Sequence, residues 1–145
     1  MATNYAQGIF TPKHPEKYMG KNSIKYRSSW ELMFMHFCDN NPAIVGWASE
    51  AIFIPYVNPL SGKSSSYCPD FIIQYVDKNG QRHSELIEIK PGKEVALENA
   101  KSMRDKAMVA VNLAKWQAAT AWAKKQGIKF RVITEKDIFH QGSKR

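Results

Sequence analysis

Four residues of this chain have the types and spacing for phosphoester chemistry: Glu31, Asp70, Glu88 and Lys90. Carboxylates are the oxygen ligands that a hard divalent cation prefers, and Mg²⁺ takes one or two of them together with waters and substrate phosphate. Such an ion polarises a phosphate and generates hydroxide from bound water. An amine beside it orients that water or neutralises developing charge. Asp70 opens the apolar run Phe71-Ile72-Ile73, while Glu88 and Lys90 interrupt Leu86-Ile87-Glu88-Ile89-Lys90, where a buried strand favours apolar residues at every position. If these two runs pair as a hairpin pivoting near Asn79, position 70 falls opposite position 88. Lys90 then shares a face with Glu88, because side chains two apart on a strand point the same way. Three carboxylates and an amine converge in that arrangement.

Each residue also has a purely structural use. Ser28-x-x-Glu31 fits a capping box, which satisfies free amides at a helix start and does not exclude a catalytic role. Asp70 after Pro69 suits a turn. Glu88 and Lys90 suit an ion pair on the exposed face of a sheet, worth little to stability. Structural zinc is rejected, since His36, Cys38 and Cys68 lack the four ligands and closely spaced pairs it needs. No Gly-rich phosphate loop, zinc finger or RNP-type motif occurs.

The elements that must position these residues follow from local patterns. Ser28 to Cys38 reads as a helix with Trp30, Met33, Phe34 and Phe37 on its apolar face, stopping near Asp39-Asn40-Asn41-Pro42. Ile44 to Ile54 predicts one or two short strands ending at Pro55, and Asn58 to Ser66 a loop. Tyr67 to Val76 and Gln81 to Lys90 are paired strands by their β-branched and aromatic content, joined at Asp77-Lys78-Asn79-Gly80, where Asn-Gly tolerates positive φ. Glu94 to Gln126 is rich in helix formers and long enough to be two helices broken near Asn112, which then serves as a cap. Trp122, Ala118, Ala119 and Leu113 are expected in the core. Gly127 is the stop, Lys129 to Thr134 the last strand, and Thr134 to Asp137 the cap of a short final helix.

At 145 residues the chain is one domain, with 43% hydrophobic residues, too many for a disordered segment. It has neither a membrane-length apolar run nor the pattern of a signal peptide, so an intracellular location with Cys38 and Cys68 reduced is expected. Lys and Arg number 21 against 13 Asp and Glu, a net charge of +8 that calls for a polyanionic partner. Residues 1–27 form a basic arm, residues 28–140 the core and residues 141–145 a basic tail. The arm is either a strap along a phosphate backbone or a solvated segment packed by its aromatics, and the two are compatible.

The ordered set Tyr26-Arg27-Ser28-Ser29-Trp30-Glu31, Tyr67-Cys68-Pro69-Asp70-Phe71, Glu88-Ile89-Lys90-Pro91, Asn112, Lys115-Trp116 and Phe130-Arg131-Val132-Ile133-Thr134-Glu135 resembles the PD-(D/E)xK nuclease superfamily. Within it the chain is similar to the TnsA-type endonuclease domain and, more closely, to the head completion nucleases of T-even-like tailed phages, over about Phe10 to Phe139. The resemblance implies an α/β, restriction-endonuclease-like fold with a mixed central sheet flanked by helices. It implies Mg²⁺-dependent hydrolysis of DNA phosphodiesters, Mn²⁺ being a possible substitute. Asp70, Glu88 and Glu31 would be the metal carboxylates and Lys90 the active-site lysine. The TnsA subunit has Gln where this chain has Glu88, which restores the commoner superfamily pattern.

The implied role is processing of packaged DNA before head-tail joining. The partners implied are double-stranded DNA, phage portal or head proteins and a second copy of the chain, with no membrane, in the host cytoplasm or at the phage head. Lys21, Lys25, Arg27, Lys115 and Gln117 are candidate DNA contacts, although a solvated helix face suits the last two better than a phosphate contact does. No base-reading helix is recognisable, so backbone or shape recognition is expected. Two other functions fit the charge: a non-catalytic DNA-binding adaptor, and a basic protein that docks on acidic capsid surfaces. Neither requires Asp70, Glu88 and Lys90 to coincide.

Overall fold

The computed structural model describes residues 7–90, 102–134 and 137. The start of the helix expected from Glu94, part of the Thr134 to Asp137 cap and the tail from Gln141 lie outside those residues. The elements are β1 (Gly8–Phe10), β2 (Ile24–Tyr26), α1 (Ser29–Asn40), β3 (Ile44–Ser49), β4 (Ile54–Val57), β5 (Ser64–Tyr67), β6 (Phe71–Val76), β7 (Arg82–Ile89), α2 (Met103–Lys125) and β8 (Lys129–Ile133).

A four-stranded mixed sheet runs in the order β3-β6-β7-β8. β3, β6 and β7 are antiparallel neighbours, and β8 joins β7 in parallel after the α2 crossover. This is the α/β architecture expected, a mixed sheet with helices on both faces. Strand alternation divides the core into two layers. Phe71, Ile73, Ile87, Ile89 and Ile133 point toward α1, where they meet Phe34, Met35 and Cys38, with Phe10 and Ile24 from the N-terminal strands. Leu86, Ile72, Phe130 and Val132 point toward α2, where they meet Trp116, Ala119 and Ala123 with Ile54, Tyr56 and Tyr67. Full burial of each large apolar side chain contributes about 1.5–3 kcal/mol.

Local signals explain most boundaries. Ser28 caps α1, its Oγ accepting from the Glu31 amide at 3.1 Å. The buried stripe of α1 is Phe34, Met35, Cys38 and Asp39, while Met33 is exposed, so the helix is rotated by about one residue from the face its sequence pattern gives. The Asp77 carboxylate organises the β6–β7 turn by accepting from the Asn79 and Gln81 amides at 2.8 and 3.0 Å. Only Gly80, at φ 80°, occupies the left-handed region there, so the turn is not the Asn-Gly type with both residues at positive φ. α2 ends with Gly127 at φ 75°. The Ile128 amide reaches the Ala123 carbonyl at 2.9 Å and the Gly127 amide the Lys124 carbonyl at 3.1 Å, a Schellman closure.

Four further expectations are corrected. α2 passes unbroken through Asn112, which is buried in a stripe with Val109, Trp116, Ala119 and Ala123 instead of capping a second helix. Leu113, on another side of α2, is exposed. The stretch read as a loop ending at Ser66 contains β5, whose serines pair with β4 from Val57↔Ser64 to Ile54↔Tyr67. Pro55 lies within β4 and does not end a strand, which an edge strand permits because an outward position needs no amide hydrogen.

Residues 7–27 lie against this framework. Tyr18 bridges to Trp47 of β3, the Met19 amide bonds the Trp47 carbonyl at 2.8 Å, and the Ser49 amide bonds the Tyr18 hydroxyl at 3.1 Å. Lys17 Nζ bonds the Asp39 and Asn41 carbonyls at 3.0 and 2.8 Å, a cation placed on the carbonyl end of α1.

Candidate active site

Asp70 follows β5 and immediately precedes β6, and Glu88 lies in β7. The register Phe71↔Ile87 carries the pairing onward to 70 opposite 88, as the hairpin reading requires. Asp70 Oδ2 accepts from the Ile89 amide at 2.8 Å. Glu88 Oε1 accepts from the Tyr67 hydroxyl at 2.8 Å, and Glu88 Oε2 stands 3.8 Å from Lys90 Nζ. The Lys90 amide donates to the Ile133 carbonyl at 3.0 Å, which ties the strand end to β8. Glu88 is buried and Lys90 retains part of its exposure, so the amine spans the boundary between the core and solvent.

Glu31 sits three residues into α1. Its Oε1 accepts from the Arg27 amide at 3.0 Å while Ser28 holds its own amide, so it does serve a capping function. Its charge is felt at Asp70, but it does not close a triad with Asp70 and Glu88. Among the described residues no three His, Cys, Asp or Glu side chains stand together as a metal-holding group. The convergence expected of three carboxylates is therefore two carboxylates and an amine, with Glu31 at the margin.

Burial raises the pKa of all three acids. For Asp70 the carboxyl is pushed well above its ordinary value by burial and then by the charge of Glu88, with the Ile89 amide and Lys90 opposing. Glu88 is raised by burial against the pull of the Tyr67 hydroxyl, Lys90, the Asp70 amide and Lys115. Glu31 is raised by burial, opposed first by the Arg27 amide. Two adjacent carboxylates, Glu88 buried and Asp70 half-buried, face one amine, that of Lys90, and so carry excess negative charge when both are ionised. Their hard oxygens fit Mg²⁺, which needs only one or two carboxylates and completes its shell with waters and phosphate. When bound, the ion would supply Lewis-acid activation of the phosphate and of water.

The sequence reading did not assign two residues that shape this site. Tyr67 lies next to the Cys68-Pro69-Asp70 motif, and its hydroxyl pKa is raised far beyond the ordinary range by burial, then by Glu88, so it remains a proton donor. Glu50 has φ 51°, in the left-handed region that a non-glycine residue seldom occupies. Its amide bonds the Asp70 carbonyl at 2.9 Å and its carboxylate pairs with the Arg27 guanidinium. Nothing in Ser49-Glu50-Ala51 signals this conformation, whereas Tyr67 has its adjacency to the motif. Cys68, also near the site, is a free thiol whose pKa is pushed up to about 11 by burial and the neighbouring acids, which leaves it a poor nucleophile.

A family model described as TnsA-like endonuclease N terminal matches residues 41–135. The chain belongs to the TnsA-like endonuclease family. The matched span includes Asp70, Glu88 and Lys90 together with Glu50, Tyr67 and Lys115, and it begins after Glu31. A curated relative extends the similarity over the first helix: the Head completion nuclease of Enterobacteria phage T4 is 37% identical over 148 residues, covering 94% of this chain and 96% of that protein.

Around the TnsA-like site the candidate DNA contacts separate. Arg27 is exposed and paired with Glu50, and its charge acts on Glu31. Lys115 Nζ lies 5.9 and 5.8 Å from the ring centroids of Tyr56 and Tyr67, close enough for its charge to act on Glu88. Gln117 is exposed on the opposite flank of the Trp116 stripe. Lys21 and Lys25 are exposed on the segment leading into and through β2.

Proposed function

We propose that the protein is an Mg²⁺-dependent DNA nuclease that hydrolyses phosphodiester bonds and processes packaged DNA during phage head completion, before head-tail joining. The observation that carries this reading is the pairing of half-buried Asp70 with buried Glu88, with Lys90 Nζ 3.8 Å from Glu88. Asp70 and Glu88 hold the metal, and the Ile89 amide and Tyr67 hydroxyl orient them. Lys90 neutralises charge that develops on the phosphate or orients the attacking water. Glu31 contributes its charge from the start of α1. Arg27, Lys115, Lys21 and Lys25 engage the DNA backbone, consistent with a chain of net charge +8. The biological setting is supported by the name of the phage T4 relative.

The test is incubation of supercoiled and linear DNA with the purified protein, with and without Mg²⁺. Cleavage is expected only with the metal, and it should disappear in Asp70→Ala, Glu88→Ala and in Lys90→Ala while the far-UV spectrum is retained. Salt-sensitive DNA binding without any metal-dependent cleavage would favour a non-catalytic adaptor instead.

A further inference from the structure

We propose that Tyr67 is a positioning residue that fixes the Glu88 carboxylate for metal binding, making the β4–β5 hairpin part of the catalytic apparatus. The inference rests on the reading of Asp70 and Glu88 as metal ligands. Its basis is the hydrogen bond from the Tyr67 hydroxyl to Glu88 Oε1 at 2.8 Å, between side chains that are both buried. A glutamate reaches its site through rotatable bonds, and a donor locked onto one oxygen restricts which way the other oxygen faces. Here the other oxygen, Oε2, is the one beside Lys90.

Asp70 is held in a parallel manner, with Oδ2 taken by the Ile89 amide. Each of the two carboxylates thus has one oxygen anchored by a protein donor. In metal sites such anchors orient the ligands, and their loss commonly costs about 10- to 100-fold in metal affinity.

The donor is itself held in place. The Tyr67 ring meets Phe130 edge to face at 6.3 Å between centroids, and Lys115 Nζ lies 5.8 Å from its centre on the α2 side. Its backbone is registered opposite Ile54, which is fully buried. The pairing of Ser64, Ser65 and Ser66 with β4 therefore delivers a rigid phenol to a site to which the hairpin contributes no acid or amine. Phenylalanine at position 67 would keep the ring contacts and remove only the donor.

The experiment measures Mn²⁺ binding by electron paramagnetic resonance in the absence of DNA, for the wild type, Tyr67→Phe, Asp70→Asn and a protein with 4-aminophenylalanine at position 67. Tyr67→Phe is expected to weaken binding about tenfold or more. The amino variant, which restores a donor at the same place, should recover most of that loss, and a purely structural role for the ring would not produce this recovery. Wild-type affinity in folded Tyr67→Phe would overturn the role of Tyr67 while leaving the metal reading intact. If Tyr67→Phe fails to fold, an amino variant that folds but binds Mn²⁺ no better than Asp70→Asn overturns it equally. No Mn²⁺ binding by the wild type, or equal binding by Asp70→Asn, would overturn the metal reading and this inference with it.

Discussion

The amide of Ile89 donates to Oδ2 of Asp70 at 2.8 Å, which ties the carboxylate preceding β6 to the strand that presents Glu88 and Lys90 on either side of that amide. The hydrogen bond fixes Asp70 beside the strand segment that bears the other two groups, although Asp70 and Ile89 are 19 positions apart in sequence. Asp70→Asn retains an acceptor for the Ile89 amide and removes the charge. On the proposed reading of Asp70 as a metal ligand, DNA cleavage by this variant should fall by more than about 100-fold with the fold intact, since losing a ligand costs more than losing an orienting partner. Single-turnover cleavage beside a circular dichroism spectrum checks it.

The carboxyls of Asp70, Glu88 and Glu31 set a pH dependence. Burial raises the folded-state values of Asp70, Glu88 and Glu31 above their ordinary ones. A raised acid favours the folded state while protonated, so its contribution is fully present below the unfolded-state value, about 4. It is lost as pH rises through the folded-state value. Metal-free protein should therefore lose urea resistance as pH rises from about 4 toward neutrality, apart from the contributions of other groups. Asp70→Asn should flatten that decline, and Mg²⁺ should oppose it most at the higher pH. Urea titrations in EDTA and in Mg²⁺ across this range measure both.

Glu31 combines a cap with a charge, and two variants separate them. Glu31→Gln keeps an oxygen that can accept from the Arg27 amide, so stability should change by only a few tenths of a kcal/mol while cleavage falls at least about tenfold. Ser28→Ala removes the helix cap and should cost about 1 kcal/mol, with a smaller effect on cleavage. Equal losses of activity in the two variants would mean that Glu31 acts only through the helix.

Lys115 and Gln117 distinguish a site-facing side chain from one on the opposite flank of α2. Lys115→Ala should weaken DNA binding and reduce the slope of log affinity against log salt by about 0.9, the value for one phosphate contact. Gln117→Ala should leave that slope unchanged. Fluorescence anisotropy over a salt series, without divalent metal, reads both.

Several features needed nothing beyond the sequence, because short-range chemistry decides them. Ser28 caps a helix that begins at the next residue, Gly127 supplies the positive φ that closes α2, and pairing around the Asp77–Gly80 turn sets 70 opposite 88. The motif residues Asp70, Glu88 and Lys90 were legible for the same reason: one hairpin register brings them together.

Tertiary structure decided what depends on the packing of separate layers. Whether Ser64 to Ser66 form a strand depends on β4 being available to pair, since the serines themselves have little preference for it. The Asn112 position within one continuous helix depends on the stripe that α2 buries, and the exposure of Met33 depends on how α1 rests on the sheet. Glu31 stands at the margin of the Asp70–Glu88 pair because α1 packs on the sheet face opposite to the one bearing Glu88. Tyr67 reaches Glu88 across 21 positions of sequence, and Glu50 takes a left-handed backbone where its amide meets the Asp70 carbonyl. Local patterning specifies the elements and the hairpin register. The contacts that orient the carboxylates come from long-range packing, for which a single sequence has no periodic signal.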